Sequence, residues 1–145
     1  MGLKLQVRIL EARDLIPKST SGCVDAYVRL QLNAHTGRSS TVIGSLNPEW
    51  NEEFVLGVED PVTDTLTVTV YDQDFQQSHD FLGKTSVQVA DLVRITAEIG
   101  DVGPTWFPLM KKSPTSRIPV CGNYETPLRL WLSDTCRHIA SHMRL

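Results

Sequence analysis

The chain has 145 residues, 41% hydrophobic and 21% charged, with 14 Lys and Arg against 17 Asp and Glu for a net charge of −3. That length holds one ordinary domain with a core able to stand without disulfide staples, and the composition excludes a disordered chain. The slight acidic excess excludes a general electrostatic attraction for nucleic acid, whose binding is dominated by phosphate neutralisation.

Taken in chain order, period-two alternation dominates. Leu3, Leu5, Val7 and Ile9 alternate with Lys4, Gln6 and Arg8, and Val28, Leu30 and Leu32 with Tyr27, Arg29 and Gln31. Weaker strands are expected at 40–43 and 53–58. Leu66, Val68 and Val70 alternate with threonines, weaker strands follow at 85–89 and 105–109, and Leu128, Leu130 and Leu132 close the series. Each run reads as a half-buried strand. Helical turns are expected only over 89–99. Eight short strands with turn signals between them predict an all-β, eight-stranded antiparallel β-sandwich. Residues 1–133 are expected to form one domain and 134–145 a tail or linker stub.

The cysteines Cys23, Cys121 and Cys136 are odd in number and lack a Cys-x-x-Cys pair, which argues against a disulfide framework or a cysteine zinc site. There is no signal peptide, Asn-x-Ser/Thr acceptor or membrane-spanning apolar run, and Gln6 breaks the myristoylation pattern. A cytoplasmic protein is expected. His138 and His142, four apart, lack a third ligand in view and are read as ordinary tail residues. No Gly-x-Ser-x-Gly elbow, phosphate-binding Gly-rich loop or His-Glu-x-x-His motif is present, so no enzyme is expected.

One segment carries chemistry: Asp72-Gln73-Asp74-Phe75-Gln76-Gln77-Ser78-His79-Asp80, directly after the strongest strand. Asp72 and Asp74 continue the parity of Leu66, Val68 and Val70, which places both over the open end of the core. Asp80 returns to the same place across the loop. Two carboxylates 4 Å apart repel by about 4 kcal/mol at an effective dielectric near 20, a cost that a hard, oxygen-loving cation such as calcium relieves. An EF-hand loop beginning at Asp72 fails, because its sixth position is Gln77 and its twelfth Gly83. Aspartates also favour turns, and these three residues alone fit either reading.

The wider pattern separates the two. Leu5–Leu15 followed by Gly22-Cys23-Val24-Asp25-Ala26-Tyr27-Val28 resembles the opening of a C2 domain. Asn47-Pro48-Glu49-Trp50-Asn51-Glu52-Glu53-Phe54, Val70-Tyr71-Asp72-Gln73-Asp74, Asp80-Phe81-Leu82-Gly83 and Thr105-Trp106-Phe107-Pro108-Leu109 resemble further signatures of that family, from Leu3 to about Ser133. The order of the elements is similar to the family's type II Greek-key topology, in which the closing strand takes the place that the first strand holds elsewhere. Asn47-Pro48 enforces a turn, Trp50 offers an apolar anchor, and Gly83 suits a bend leaving the loop.

The resemblance implies a calcium-dependent module that binds anionic phospholipid and associates peripherally with membranes. The family's ligands are five aspartates from two loops. Asp25, Asp72, Asp74 and Asp80 match, with the Gln73 backbone carbonyl beside them, while Ser19 stands at the remaining position as a weak or absent ligand. Losing a charged ligand worth about 1.5–3 kcal/mol weakens binding roughly tenfold or more. Phe75 at the loop tip is expected to insert into the membrane. Ile16 and Val24 fit insertion and core capping equally well. If strands alternate in direction, the last connection shares an end with the aspartates and brings Lys111, Lys112 and Arg117 to anionic lipid; ordinary solvated charge fits these three equally. Arg29 and Arg38 alone do not make a dedicated phosphoinositide site. The alternatives are a calcium-independent protein-interaction domain or the targeting module of a larger protein.

Overall fold

A computed structural model of the chain describes residues 2–17, 22–73, 79–99, 103–111 and 126–134. Two four-stranded antiparallel sheets face each other. The first has the order β4 (Glu49–Gly57), β1 (Lys4–Ala12), β8 (Thr126–Asp134), β7 (Pro104–Leu109). The second has the order β3 (His35–Arg38), β2 (Ala26–Leu32), β5 (Thr65–Asp72), β6 (Asp80–Gln88). The closing strand lies between β1 and β7, as expected for type II topology.

The alternation places the core. Leu5, Val7 and Ile9 from β1, Val28, Leu30 and Leu32 from β2, Leu66, Val68 and Val70 from β5, and Leu128, Leu130 and Leu132 from β8 are all buried between the sheets. Such side chains contribute roughly 1.5–3 kcal/mol each on burial. A register shift between Ile9 and Glu11 interrupts β1, and the buried parity passes from Ile9 to Ala12. A bulge changes the inward set in this way because the side-chain period is two. Helix α1 (Val89–Ile99) turns Val89, Leu92 and Thr96 inward at i, i+3 and i+7 spacing.

Two expectations are corrected. The third strand is His35–Arg38, not 40–43, where only Val42 forms an isolated bridge to Ala26. Ser39 ends the pairing, since its Oγ accepts the Val28 N–H at 2.8 Å while its own N–H reaches the Val28 carbonyl at 2.9 Å. Val24 is fully buried in the core cluster, so it caps the sandwich and is not a membrane contact. Gly83 adjoins a register shift at the start of β6, where Val70 pairs with Gly83 but Tyr71 with Phe81. It lies inside β6, where an added Cβ would meet the Leu109 Cβ at 2.8 Å. Gly83→Ala therefore overpacks the β6–β7 contact and is expected to cost about 1–3 kcal/mol, read as a thermal melt several degrees lower; an unchanged melt would show that Leu109 yields freely.

At the far end of the sandwich, Asp64 holds the turn into β5. Its carboxylate accepts the N–H groups of Glu59 (2.8 Å) and Asp60 (3.1 Å). Burial pushes this carboxyl up, but those N–H groups and the Asn33 amide together hold it below the ordinary carboxylate range. Its contribution to stability is thus present at neutral pH and fades only as pH falls through that lowered value.

Candidate functional site

β2 begins, β5 ends and β6 begins at one end of the second sheet. Ala26 pairs with Asp72, and Asp72 pairs with Asp80, so carboxylate-bearing residues from three chain segments meet where the ladders stop. Neighbouring strands lie only about 4.8 Å apart. Asp72 is buried, at 8% exposure, while Asp25 and Asp80 are half-buried.

Backbone hydrogen bonds hold this end in place. The Asp25 N–H donates to Asp72 Oδ1 at 2.9 Å, and the Gln73 N–H donates to the Asp25 carbonyl at 2.8 Å. Together they close β2 against β5 one step beyond the last ladder pair. Asp25 Oδ1 in turn accepts the Gly44 N–H at 2.8 Å. The Gln73 amide oxygen accepts from Thr41 Oγ1 (2.6 Å) and Arg38 Nη2 (3.3 Å), which anchors the side chain of the residue whose carbonyl the sequence offered as a ligand.

The residues at this end offer carboxylate and carbonyl oxygens, the hard donor type that suits calcium better than zinc. Among the described residues, no three His, Cys, Asp or Glu side chains come together as a metal-binding group. Asp74, Ser19 and Phe75 lie outside the described residues, as do Lys112 and Arg117. Ile16 is exposed, and so is Lys111. The last connection leaves and re-enters at this same end: Met110 bridges Lys84 of β6, and the Arg13 N–H, just past β1, donates to the Pro127 carbonyl of β8 at 3.1 Å.

The sequence reading missed two features. The Asn47-Pro48 segment does more than turn. It braces the loop after β1, with Ala12 N–H to the Pro48 carbonyl at 3.0 Å, Asp14 N–H to Asn47 Oδ1 at 3.0 Å and Leu15 N–H to the Leu46 carbonyl at 2.9 Å. An aromatic column also lies on the outward face of the second sheet, beside the strand ends that bear Asp72 and Asp80. Tyr27 stacks on Tyr71 with centroids 5.5 Å apart, Tyr71 meets Phe81 edge-on at 6.3 Å, and the Arg38 guanidinium lies 3.9 Å from the Tyr27 ring centre. The Tyr27 hydroxyl is hydrogen-bonded to His79 Nδ1 and so ties down the return of the loop. Outward parity of Tyr27 and Tyr71, opposite each other in the register, was the available signal.

The family model for the C2 domain matches residues 3–109, and the chain belongs to that family. It is 41% identical over 115 residues to a C2 and GRAM domain-containing protein of Arabidopsis thaliana, a match covering 79% of this chain and 11% of that protein. It is 38% identical over 114 residues to Ras GTPase-activating protein 4 of Mus musculus, covering 79% of this chain and 14% of the relative. The chain thus spans only a small part of these relatives' length. The fold is similar to a C2 domain of plant extended synaptotagmin 1, with a TM-score of 0.70 at 23% identity over 92% of this chain and 93% of that one. It is also similar to a calcium-bound pair of C2 domains from extended synaptotagmin 2, with a TM-score of 0.69 at 24% identity over 91% of this chain and 45% of that one. The class is that of a binding and membrane-targeting module. Among the described residues, no helix is long and apolar enough to cross a membrane.

Proposed function

We propose that this domain docks on anionic phospholipid surfaces when calcium is held between Asp25, Asp72, Asp74 and Asp80, with the Gln73 carbonyl beside them. The observation that carries this reading is the meeting of Asp25, Asp72 and Asp80 at one sheet end, on strands tied by register and by the Asp25–Asp72 bond. Bound calcium supplies positive charge that lipid phosphate or carboxylate groups complete. The chain's part is to hold the Asp25 and Asp72 carboxylates at a fixed, partly buried edge, so that less ordering remains to be done on binding. Ser19 in place of a fifth carboxylate weakens the site without removing it. Phe75 and Ile16 insert beside it, and Lys111, Lys112 and Arg117 add basic contacts to the anionic surface. Peripheral association of a cytoplasmic protein follows.

A second reading is a calcium-independent protein-interaction domain. It is favoured by the absence of a three-ligand group among the described residues and by Ser19. Thermal melts and calorimetric titration separate the two. Calcium is expected to raise the melting temperature, with about 2.7 kcal/mol of stabilisation at a hundredfold excess over Kd. Magnesium, which holds its water and demands octahedral geometry, is expected to do much less. Sedimentation with phosphatidylserine vesicles is expected in calcium and to be lost in chelator. An unchanged melt in millimolar calcium together with equal vesicle binding in chelator would overturn the bridging mechanism and leave the second reading.

A further inference from the structure

Gln73, directly after Asp72, is held by both its backbone and its side chain. Its N–H donates to the Asp25 carbonyl at 2.8 Å. Its amide oxygen takes two donors, Thr41 Oγ1 at 2.6 Å and Arg38 Nη2 at 3.3 Å. A guanidinium only donates, so the oxygen and not the nitrogen of the amide faces this pair, and two donors fill both of its lone pairs. Both donors are themselves anchored. The Arg38 guanidinium lies 3.9 Å from the Tyr27 ring centre, and Thr41 precedes Val42, which exchanges two backbone bonds with Ala26 at 2.9 and 3.0 Å. Thr41 is half-buried, as is Gln73. In the same segment the Gly44 N–H donates to Asp25 Oδ1 at 2.8 Å, on a turn whose φ of 68° lies in the left-handed region. Residues 41–44 thus grip both the strand end that carries Asp72 and the one that carries Asp25.

We infer that Thr41 is a positioning residue for the calcium site, acting through the side chain of Gln73. The inference rests on the calcium reading above and deepens it, because affinity then depends on a residue that touches no ion. Gln73 offers calcium only its backbone carbonyl, a hard oxygen of the kind calcium accepts. Its side chain is therefore available as a handle by which the neighbouring segment holds that carbonyl and the end of β5. Without the Thr41 hydroxyl, the handle keeps only the longer bond from Arg38. Ordering that the fold now completes in advance would then fall on calcium binding. A single hydrogen bond contributes modestly, so the expected loss is a few-fold and not all-or-none.

The test is calorimetric calcium titration of wild type, Thr41→Val, Thr41→Ser, Gln73→Met and the double variant Thr41→Val with Gln73→Met. Thr41→Val keeps the shape and removes the hydroxyl; it is expected to weaken calcium binding by about two- to tenfold, the scale of one hydrogen bond. Thr41→Ser returns the donor and is expected to bind close to the wild-type value. Gln73→Met keeps the backbone carbonyl and the length of the side chain but removes the acceptor, and should lose at least as much as Thr41→Val. The double variant decides the route. If Thr41 acts through Gln73, losing both should weaken calcium no further than Gln73→Met alone, whereas independent effects would multiply. If wild type binds calcium and Thr41→Val binds it equally well, the positioning role is wrong while the calcium reading stands. If Thr41→Ser binds as weakly as Thr41→Val, or the double variant shows the full product of the two losses, the hydroxyl does not act through Gln73 and the inference falls. If wild type does not bind calcium at all, the calcium reading fails and takes this inference with it.

Discussion

Trp50→Ala is expected to cost about 3–5 kcal/mol of stability, the range for emptying a large aromatic site in a packed core. For a domain of this size that corresponds to a melting temperature about 6–20 °C lower. Trp50 belongs to the core cluster, and its Nε1 donates to the Ala26 carbonyl at 3.2 Å. That carbonyl also accepts the Val42 N–H at 2.9 Å. Trp50→Phe therefore removes a donor without orphaning the acceptor. Its loss should be governed by volume and come to less than half that of the Ala variant. The prediction concerns function too, because Ala26 adjoins Asp25. Trp50 holds β4 against the very start of β2, and a cavity there loosens the strand end that carries the first carboxylate. Thermal and denaturant melts of both variants check the order. Equal losses for Phe and Ala would mean that the indole hydrogen bond, and not its bulk, governs the site.

How far this architecture was legible follows from what each segment exposes. The strands that bury one face and wet the other carry their period in the residues, so β1, β2, β5 and β8 were readable. Trp50 was readable as an anchor because a buried indole has few other places to go. β3 was not readable. His35-Thr36-Gly37-Arg38 is a short edge strand that faces water along most of its length, and without an apolar face it has no alternation. The apolar pair Val42-Ile43 drew the strand to itself instead, although Val42 alone packs against the core. The first half of β6 was hidden by Asp80 and Gly83, residues that read as loop until the approach of Leu109 is known. At the site, the aspartates were legible from parity and spacing. Their hydrogen bonds were not, because those depend on which strand ends meet.

Asp72 and Ser19 test the site from opposite directions. Asp72→Asn keeps an amide oxygen able to accept the Asp25 N–H, so the latch between β2 and β5 survives, and relief of carboxylate repulsion should raise stability without calcium. It removes one negative charge from the place where calcium would sit. Calcium affinity is expected to fall by about tenfold or more, on the 1.5–3 kcal/mol scale of interactions with a charged group. Asp72→Ala removes the acceptor as well and leaves the part-buried Asp25 N–H without its partner. It should therefore lose calcium to a similar degree and also about 1–3 kcal/mol of stability in the absence of calcium. Ser19→Asp is expected to run the other way, supplying the missing fifth carboxylate. It should tighten calcium about tenfold or more while lowering the stability of the calcium-free domain through added repulsion. Calcium titrations and chelator melts of the three variants beside wild type read all of these effects. If Asp72→Asn and Ser19→Asp both leave calcium affinity at the wild-type value, the carboxylates do not share an ion. Asp72 would then be a latch for β2 and β5 alone, and the protein-interaction reading would account for the fold's use.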